Sequence, residues 1–517
     1  MRAARSGFLV ATGSYLAVTA LIIGLALRHT GGVLVYSLDD PYIHMAVART
    51  LAFAGTYGIG PGAYESASSS PGWTVLLAAL IRLTNGHGFM WMPLCLNLIA
   101  GVWLLWVFSG RDTALAGLPP VGRYAAAAIL PLALYLPGLA ATGMEHTLHA
   151  ALTLMVLIEL DRLATGSVSG RTAAGYCGLL AIGSVVRPEA LFVGLGCAAA
   201  LLLVGQVRAA LCSVAAVATP IATLGVINHL HGQYVFSNSV VAKTLLEEGG
   251  ANPWLPHFAQ ILEALRDDVM LAALLAVILT AVLVGGRRGR YAAPGVAILV
   301  GALLHLNYAA TGWLDRYQAY LIVSGSFIML QMLPPPRTVG TRLTVGAVLV
   351  VLLVLLPAGK FQLMRRAPVT IENIYRAQYQ LARFLAEAYA QRPVAVNDLG
   401  LVALLHGPPM VDLYGLGSHE VLRTWKTGGF NTAYVRRLAA QRGLAVVVVY
   451  EEWFGDYIPP EWLRVAIWTL DEPDSLRPWR VVFYAPSVAL ADELDRHLRA
   501  FAPTLPGGVA VQPLAFR

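Results

Sequence analysis

Two adjacent carboxylates, Asp39 and Asp40, open the stretch "DDPYIHMAVARTLAFAG" (39–55), directly after the first long apolar run. A carboxylate at the end of a membrane span, held by a rigid following helix, has the placement of a general base. Asp40-Pro41 also has a structural reading. Asp is a favoured N-cap and Pro a favoured first helical residue, so Asp40 is expected to start a helix over 41–54. Asp39 is then left without a structural duty.

Further ionisable groups recur at the ends of apolar runs. They are Glu145 in "TGMEHTLH" (142–149), Arg187 and Glu189 in "RPE" (187–189), Lys243 in "FSNSVVAKTLLEEGG" (236–250) and Asp315-Arg316 in "WLDRY" (313–317). An amine such as Lys243 can neutralise a phosphate. Plainer readings stand beside these. Glu145 can favour a helix dipole, "RPE" can turn the chain, and Asp315-Arg316 can pair locally. The loop "GTYGIGPGAYESASSSPGW" (55–73) can simply connect two surface helices.

The elements that must position these residues follow from composition. The chain has 517 residues, 57% of them hydrophobic and 13% charged, against about a quarter charged in a soluble protein. Its mean hydropathy is +0.64. Many spans of ~20 residues are therefore predicted, near 7–27, 90–109, 122–140, 146–160, 172–186, 189–206, 209–229, 269–285, 291–310, 316–333 and 341–358. The run 7–27 is read as an uncleaved first span. The apolar stretch 72–83 is too short to span and is placed flat on the membrane, as is the amphipathic helix 41–54.

Arginine tests this topology. With the N-terminus inside, the short inner loops collect Arg2, Arg5, Arg111, Arg123, Arg162, Arg171, Arg208, Arg287, Arg288, Arg290, Arg337 and Arg342, as the positive-inside rule requires. The net charge of +7 is explained in the same way and does not call for nucleic acid. Asp39, Asp40, Glu145, Arg187, Glu189, Lys243, Asp315 and Arg316 then share the outer face, where both signs of charge suggest a cavity for something anionic. Lys360, Arg365 and Arg366, beyond the last span, run against the rule. Cys95, Cys177, Cys197 and Cys212 all lie in apolar runs and read as small core residues, not disulfides.

Composition changes near residue 359. "VAVND", "PMVDLYG", "LAVVVVY" and "WRVVFYAP" are strand-like, while 430–442 and 487–501 are helix-like. That alternation predicts an α/β domain with a largely parallel sheet. The predicted division is a transmembrane domain at 1–358 and an extracytoplasmic domain at 359–517.

In order along the chain, "DDPYI" (39–43), "ARTLAFAGTYG" (48–58), "PGAYESASSSPGWT" (61–74), "TGMEHTL" (142–148), "RPE" (187–189), "SNSVVAK" (237–243) and "WLDRY" (313–317) resemble the motifs of the polytopic GT-C glycosyltransferases. The nearest resemblance is to the arabinofuranosyltransferases that use polyprenyl-phosphate arabinofuranose. "NDLGLVALLHGPPMVDLYGLGS" (397–418) is similar to that family's tail.

The resemblance implies a GT-C-like bundle of about eleven spans, with juxtamembrane helices in the first outer loop. It implies inverting transfer of a sugar, arabinofuranose first, from a polyprenyl phosphate to a hydroxyl of a cell-envelope glycan, glycolipid or protein. Polyprenyl phosphate leaves as a weakly basic anion, so one base suffices and charge stabilisation matters more than a proton donor. Asp39 is then the base. Lys243, Arg316 and, less directly, Arg187 hold the donor phosphate. Asp40, Glu145, Tyr42, His146 and Trp73 contact sugar or acceptor.

No cofactor is required under this reading, no metal ligand set is assigned, and a divalent cation is optional. The expected location is the inner (plasma) membrane, multi-pass, with a cytoplasmic N-terminus and a periplasmic C-terminal domain. A protein mannosyltransferase or a lipid A aminosugar transferase would use the same logic. A transporter would place its charges near the midplane, with internal repeats, and this chain does neither.

Overall fold

The computed structural model describes residues 2–109, 115, 118–166, 169–247, 258–285, 291–333, 338–470 and 479–515, excepting the side chains of 2–4, 243–247, 258 and 285. Arg111, Arg287, Arg288, Arg290 and Arg337 lie outside the described residues. The chain divides into two compact units: Met1–Leu25, Trp91–Thr223 and Asn252–Ala367 in the first, and Ala26–Met90, Leu224–Ala251 and Pro368–Arg517 in the second.

The protein is a polytopic α-helical membrane protein with a C-terminal α/β domain. Every expected span coincides with a helix or a broken helix. Among the described residues, five helical stretches are individually long and apolar enough to cross a membrane: Arg5–His29, Phe89–Ser109, Pro120–Thr142, Val207–Leu230 and Val339–Ala388.

In the first unit, the expected span 122–140 is interrupted. Helix Pro120–Ala133 ends just past Pro131, Tyr135 adopts φ 58°, and helix Leu136–Thr142 follows. A Cβ on Gly138 would come within 2.1 Å of the Tyr135 ring, so glycine is what lets that ring fold back. Helix Ala190–Leu203 packs on helix Ala292–Tyr308 with backbones close together. Gly196 makes this approach, since a Cβ there would lie 2.2 Å from the Ala297 carbonyl oxygen, the small-residue contact usual between membrane helices.

The last expected span does not end near 358. The chain stays helical from Val339 through Ala388, with π-turns at Val351–Leu355 and Tyr375–Tyr379. The division drawn at 358/359 therefore falls inside this helical run. Lys360, which sits awkwardly with the positive-inside rule, is buried. Its ammonium lies 2.9 Å from Asp315 and 3.6 Å from Asp268, so it is a packed ion-pair member and not a surface charge.

In the second unit, helices Asp40–Ala54 and Pro71–Leu83 pack together as the two helices of the first loop. The tail forms six strands: β1 Val394–Val396, β2 Met410–Asp412, β3 Val446–Val449, β4 Leu463–Leu470, β5 Arg480–Ala485 and β6 Val509–Pro513. Their order is β2-β1-β3-β5-β4-β6. Only β1 is parallel to its neighbours β2 and β3. The pairs β3/β5, β4/β5 and β4/β6 are antiparallel, so the expected largely parallel sheet is corrected to a mixed one. Parallel pairing needs a crossover, and helices Gly400–Leu405 and Thr432–Arg442 supply it for the first three strands. No helix separates β4 from β5 among the described residues, and the two run antiparallel. The expectation missed β4 and β6.

Candidate functional site

Asp39 is built into the second unit. Helix Asp40–Ala54 begins at Asp40 itself. Asp39 occupies the N-cap position without a side-chain cap bond, so the expected capping role of Asp40 is corrected. The Asp39 side chain turns instead to the α/β domain. Its Oδ2 accepts the Gly400 N–H at 2.6 Å and its Oδ1 accepts the Leu401 N–H at 2.8 Å. Nine residues on, Arg49 donates to the Leu404 carbonyl at 2.8 Å. One loop helix thus supplies an acid to the positive end of helix Gly400–Leu405 and a cation to its negative end, complementing the dipole at both.

Asp39 therefore has the structural duty that the sequence reading withheld. Burial, and then the neighbouring Asp398 carboxylate, push its pKa well above the usual carboxylate range. A carboxylate offers about four acceptor sites, and the Gly400 and Leu401 N–H groups take two of those on Asp39.

A Cβ on Gly400 would lie 2.1 Å from the Asp39 carbonyl oxygen and 2.3 Å from Oδ2. Gly400→Ala is expected to displace this acid at a cost of about 1–3 kcal/mol. The expected result is a lower unfolding temperature and faster proteolysis of the first loop, and an unchanged protease pattern would contradict the contact.

The rest of the first loop is a buried polar network. His44 Nδ1 lies 2.7 Å from Ser68 Oγ, and Ser68 Oγ lies 2.8 Å from Thr74 Oγ1. Tyr42 is fully buried, and its hydroxyl accepts the Tyr36 N–H at 2.7 Å, so it braces the loop backbone. Trp73 is also buried. Asn238 of the "SNS" motif is tied to Ser66 by its N–H (2.9 Å) and to His419 by its side chain (3.1 Å). Lys243 follows on helix Asn238–Glu247, but its side chain lies outside the described residues.

A separate cleft of about 330 Å³ in this unit is lined by Ile59, Pro61, Glu65, Met410, Asp412 and Arg442, among others. Burial pushes Glu65 there up to about 8 and Asp412 up to about 6. Asp39 does not line it.

The first unit gathers Glu145, His146, Arg187 and Arg316. Asn97 fixes the turn before Glu145 by donating to the Met144 carbonyl at 2.9 Å, and Tyr15 in turn donates to the Asn97 carbonyl. Pro188 ends helix Gly170–Val186 and holds Arg187 extended, as a residue before proline prefers. Arg187 reaches Glu145 Oε1 at 2.8 Å through Nη1 and Glu189 Oε2 at 2.9 Å through Nε, with a second bond from Nη2 to Glu189 Oε1. All three side chains are buried.

Tyr317 sits at the centre of this cluster. Its ring centroid lies 5.7 Å from the Arg187 guanidinium and 4.7 Å from that of Arg316, and the His146 ring meets it edge-on at 5.9 Å. Arg316 also donates to the Tyr317 hydroxyl at 2.9 Å. Arg316 follows a run of left-handed residues, Gly312 to Asp315, with φ between 47° and 75°. Three of these are not glycine, each costing roughly 1–2 kcal/mol, and this places strain next to the buried guanidinium. Arg187 is already engaged by two carboxylates, so its charge is committed to holding Glu145.

Sequence reasoning missed Asp398, Gly400, Arg49, Lys360 and Tyr317. The tail stretch 397–418 carried the one available signal, but with no role attached to it. Among the described residues, no group of three or more His, Cys, Asp or Glu is placed to hold a metal ion.

A bundle of broken and short membrane helices, a first loop of two helices and an appended mixed α/β domain define the GT-C fold. The chain is similar throughout to ArnT from Cupriavidus metallidurans, solved bound to undecaprenyl phosphate (TM-score 0.52) and in the apo state (TM-score 0.51). In both cases identity is 14%, over 93% of this chain and 99% of ArnT. An Archaeoglobus fulgidus oligosaccharyltransferase, solved with Zn and sulfate, matches at a TM-score of 0.48 and 12% identity, over 94% of this chain and 77% of its own. Residues 372–486 match the family model described as a domain of unknown function (DUF8728). No curated protein matches in sequence.

Proposed function

We propose that the protein is an integral-membrane glycosyltransferase. It moves a sugar, arabinofuranose first, from a polyprenyl phosphate to an acceptor hydroxyl of an envelope glycan, glycolipid or protein, with inversion at the anomeric carbon. The observation that carries this reading is the buried Glu145–Arg187–Glu189 cluster around Tyr317 and Arg316, inside a membrane bundle. Ionisable groups in such a place are costly and mark a working site. The fold supports it, since ArnT was solved with undecaprenyl phosphate.

In this reading Asp39 takes the proton of the acceptor hydroxyl, and the acceptor oxygen attacks the anomeric carbon. The phosphate leaves with the bonding electron pair, and Arg316 and Lys243 stabilise its charge. Arg187 holds Glu145 in place. Glu145, His146 and Asp40 orient sugar or acceptor, while Tyr42 and Trp73 shape the loop that carries Asp39. The N-terminus lies in the cytoplasm and the α/β domain outside the inner membrane.

Amino-sugar transfer to a lipid is a second reading, favoured by the likeness to ArnT. The two separate in one experiment. Membranes containing the protein are supplied with radiolabelled polyprenyl-phosphate arabinofuranose, mannose or amino sugar. Incorporation from arabinofuranose alone is expected, incorporation from the amino sugar alone selects the second reading, and no incorporation from any donor overturns both.

A further inference from the structure

Three segments of the first unit meet at one buried ammonium. Lys360, near the start of helix Ala358–Ile374, lies 2.9 Å from Asp315 Oδ2 and 3.6 Å from Asp268 Oδ2. Asp268 sits at the break between helices Phe258–Asp267 and Val269–Gly285, where its Oδ1 accepts the Leu271 N–H at 2.9 Å. Gln318, also buried, closes the arrangement. Its Nε2 donates to Asp268 Oδ2 at 3.0 Å and to Asp315 Oδ1 at 3.3 Å, and its Oε1 accepts the Gly312 N–H at 3.0 Å.

The residues gripped in this way are the two ends of the left-handed run, Gly312 and Asp315. Between and including them, Trp313, Leu314 and Asp315 carry φ of 47°, 63° and 53°. Side-chain-bearing residues persist there only where their surroundings over-determine them. Packing of Trp313 does not supply that hold, because its side chain is nearly half exposed. The bonds from Gln318 and Lys360 do. Arg316 is the next residue along the chain, and its buried guanidinium lies 4.7 Å from the Tyr317 ring. Where the run ends therefore decides where that cation stands.

We infer that Lys360 is a positioning residue for the donor phosphate. Together with Asp268, Asp315 and Gln318 it holds residues 312–315 left-handed and so places the Arg316 guanidinium. The inference rests on the proposed assignment of Arg316 to the donor phosphate. Without the ammonium, two largely buried carboxylates lose their counter-charge, the run relaxes, and Arg316 moves from its place.

The test is the binding of undecaprenyl phosphate to the full-length protein in detergent, with amide hydrogen exchange over 310–318 beside it. Lys360→Met is expected to weaken binding about tenfold or more and to speed exchange in that segment. Asp315→Asn tolerates the left-handed conformation and keeps an oxygen for Gln318, so it isolates the ion pair. It is expected to act in the same direction by a smaller factor, and it keeps the test open should Lys360→Met fold poorly. A residue that acts through Arg316 has nothing left to place once Arg316 is gone. Lys360→Met combined with Arg316→Met, and Asp315→Asn combined with Arg316→Met, are therefore expected to bind no more weakly than Arg316→Met alone.

Factors that multiply in the double variants overturn the inference, since a merely structural loss would add to that of Arg316. Unchanged exchange or unchanged binding in folded Lys360→Met or Asp315→Asn overturns it too, provided Arg316→Met binds weakly. Wild-type binding by Arg316→Met sinks the phosphate assignment instead, and the positioning role falls with it.

Discussion

Asp39→Asn is expected to lower sugar transfer about 10²–10⁴-fold per folded molecule, the usual range for loss of a positioned base. The amide keeps the size of the acid, and its carbonyl can still accept the Leu401 N–H, which the acid accepts at 2.8 Å. It cannot accept a proton at neutral pH. Its NH₂ would face the Gly400 N–H, which now donates to Oδ2 at 2.6 Å, so a stability loss of about 1–3 kcal/mol accompanies the change. Turnover must therefore be normalised to folded protein, by size-exclusion recovery and thermal unfolding in detergent. Full turnover would move the base elsewhere.

Arg187→Met is the second large effect. The substitution keeps much of the side-chain volume and removes the guanidinium that bonds both Glu145 and Glu189. Both carboxylates would then stay buried and lose the guanidinium that bonds them. Removing one partner of a buried ion cluster costs about 3–5 kcal/mol, a large share of a typical total stability. The expected outcome is a large loss of folded protein and a lower unfolding temperature. Combining Arg187→Met with Glu145→Gln and Glu189→Gln is expected to recover most of the stability without recovering activity. A single variant as stable as wild type would show that the cluster does not hold the bundle together.

Much of the fold was legible because it rests on local signals. Apolar runs, Pro-Gly breaks and the "RPE" turn are read over a few residues, and the helices fall where they indicate. The misreadings share a cause as well. Asp40-Pro41 looks like a cap from its neighbours, but the acid that matters is Asp39, and its partner lies 361 residues along the chain. Lys360 looks like a misplaced surface charge until Asp268 and Asp315 are seen around it. Strand direction in the tail depends on which strands become neighbours, and alternating hydrophobicity does not encode that. Sequence likewise does not reveal that Glu145 and Glu189 converge on Arg187.

The bond from Asp39 to the Gly400 and Leu401 N–H groups also has a consequence for biosynthesis. At roughly 5–20 residues per second, the ribosome needs about 20–70 s to travel from one end of that contact to the other. Throughout that interval the nascent first loop carries a carboxylate whose resting place has not been made. A chain that terminates early never receives it.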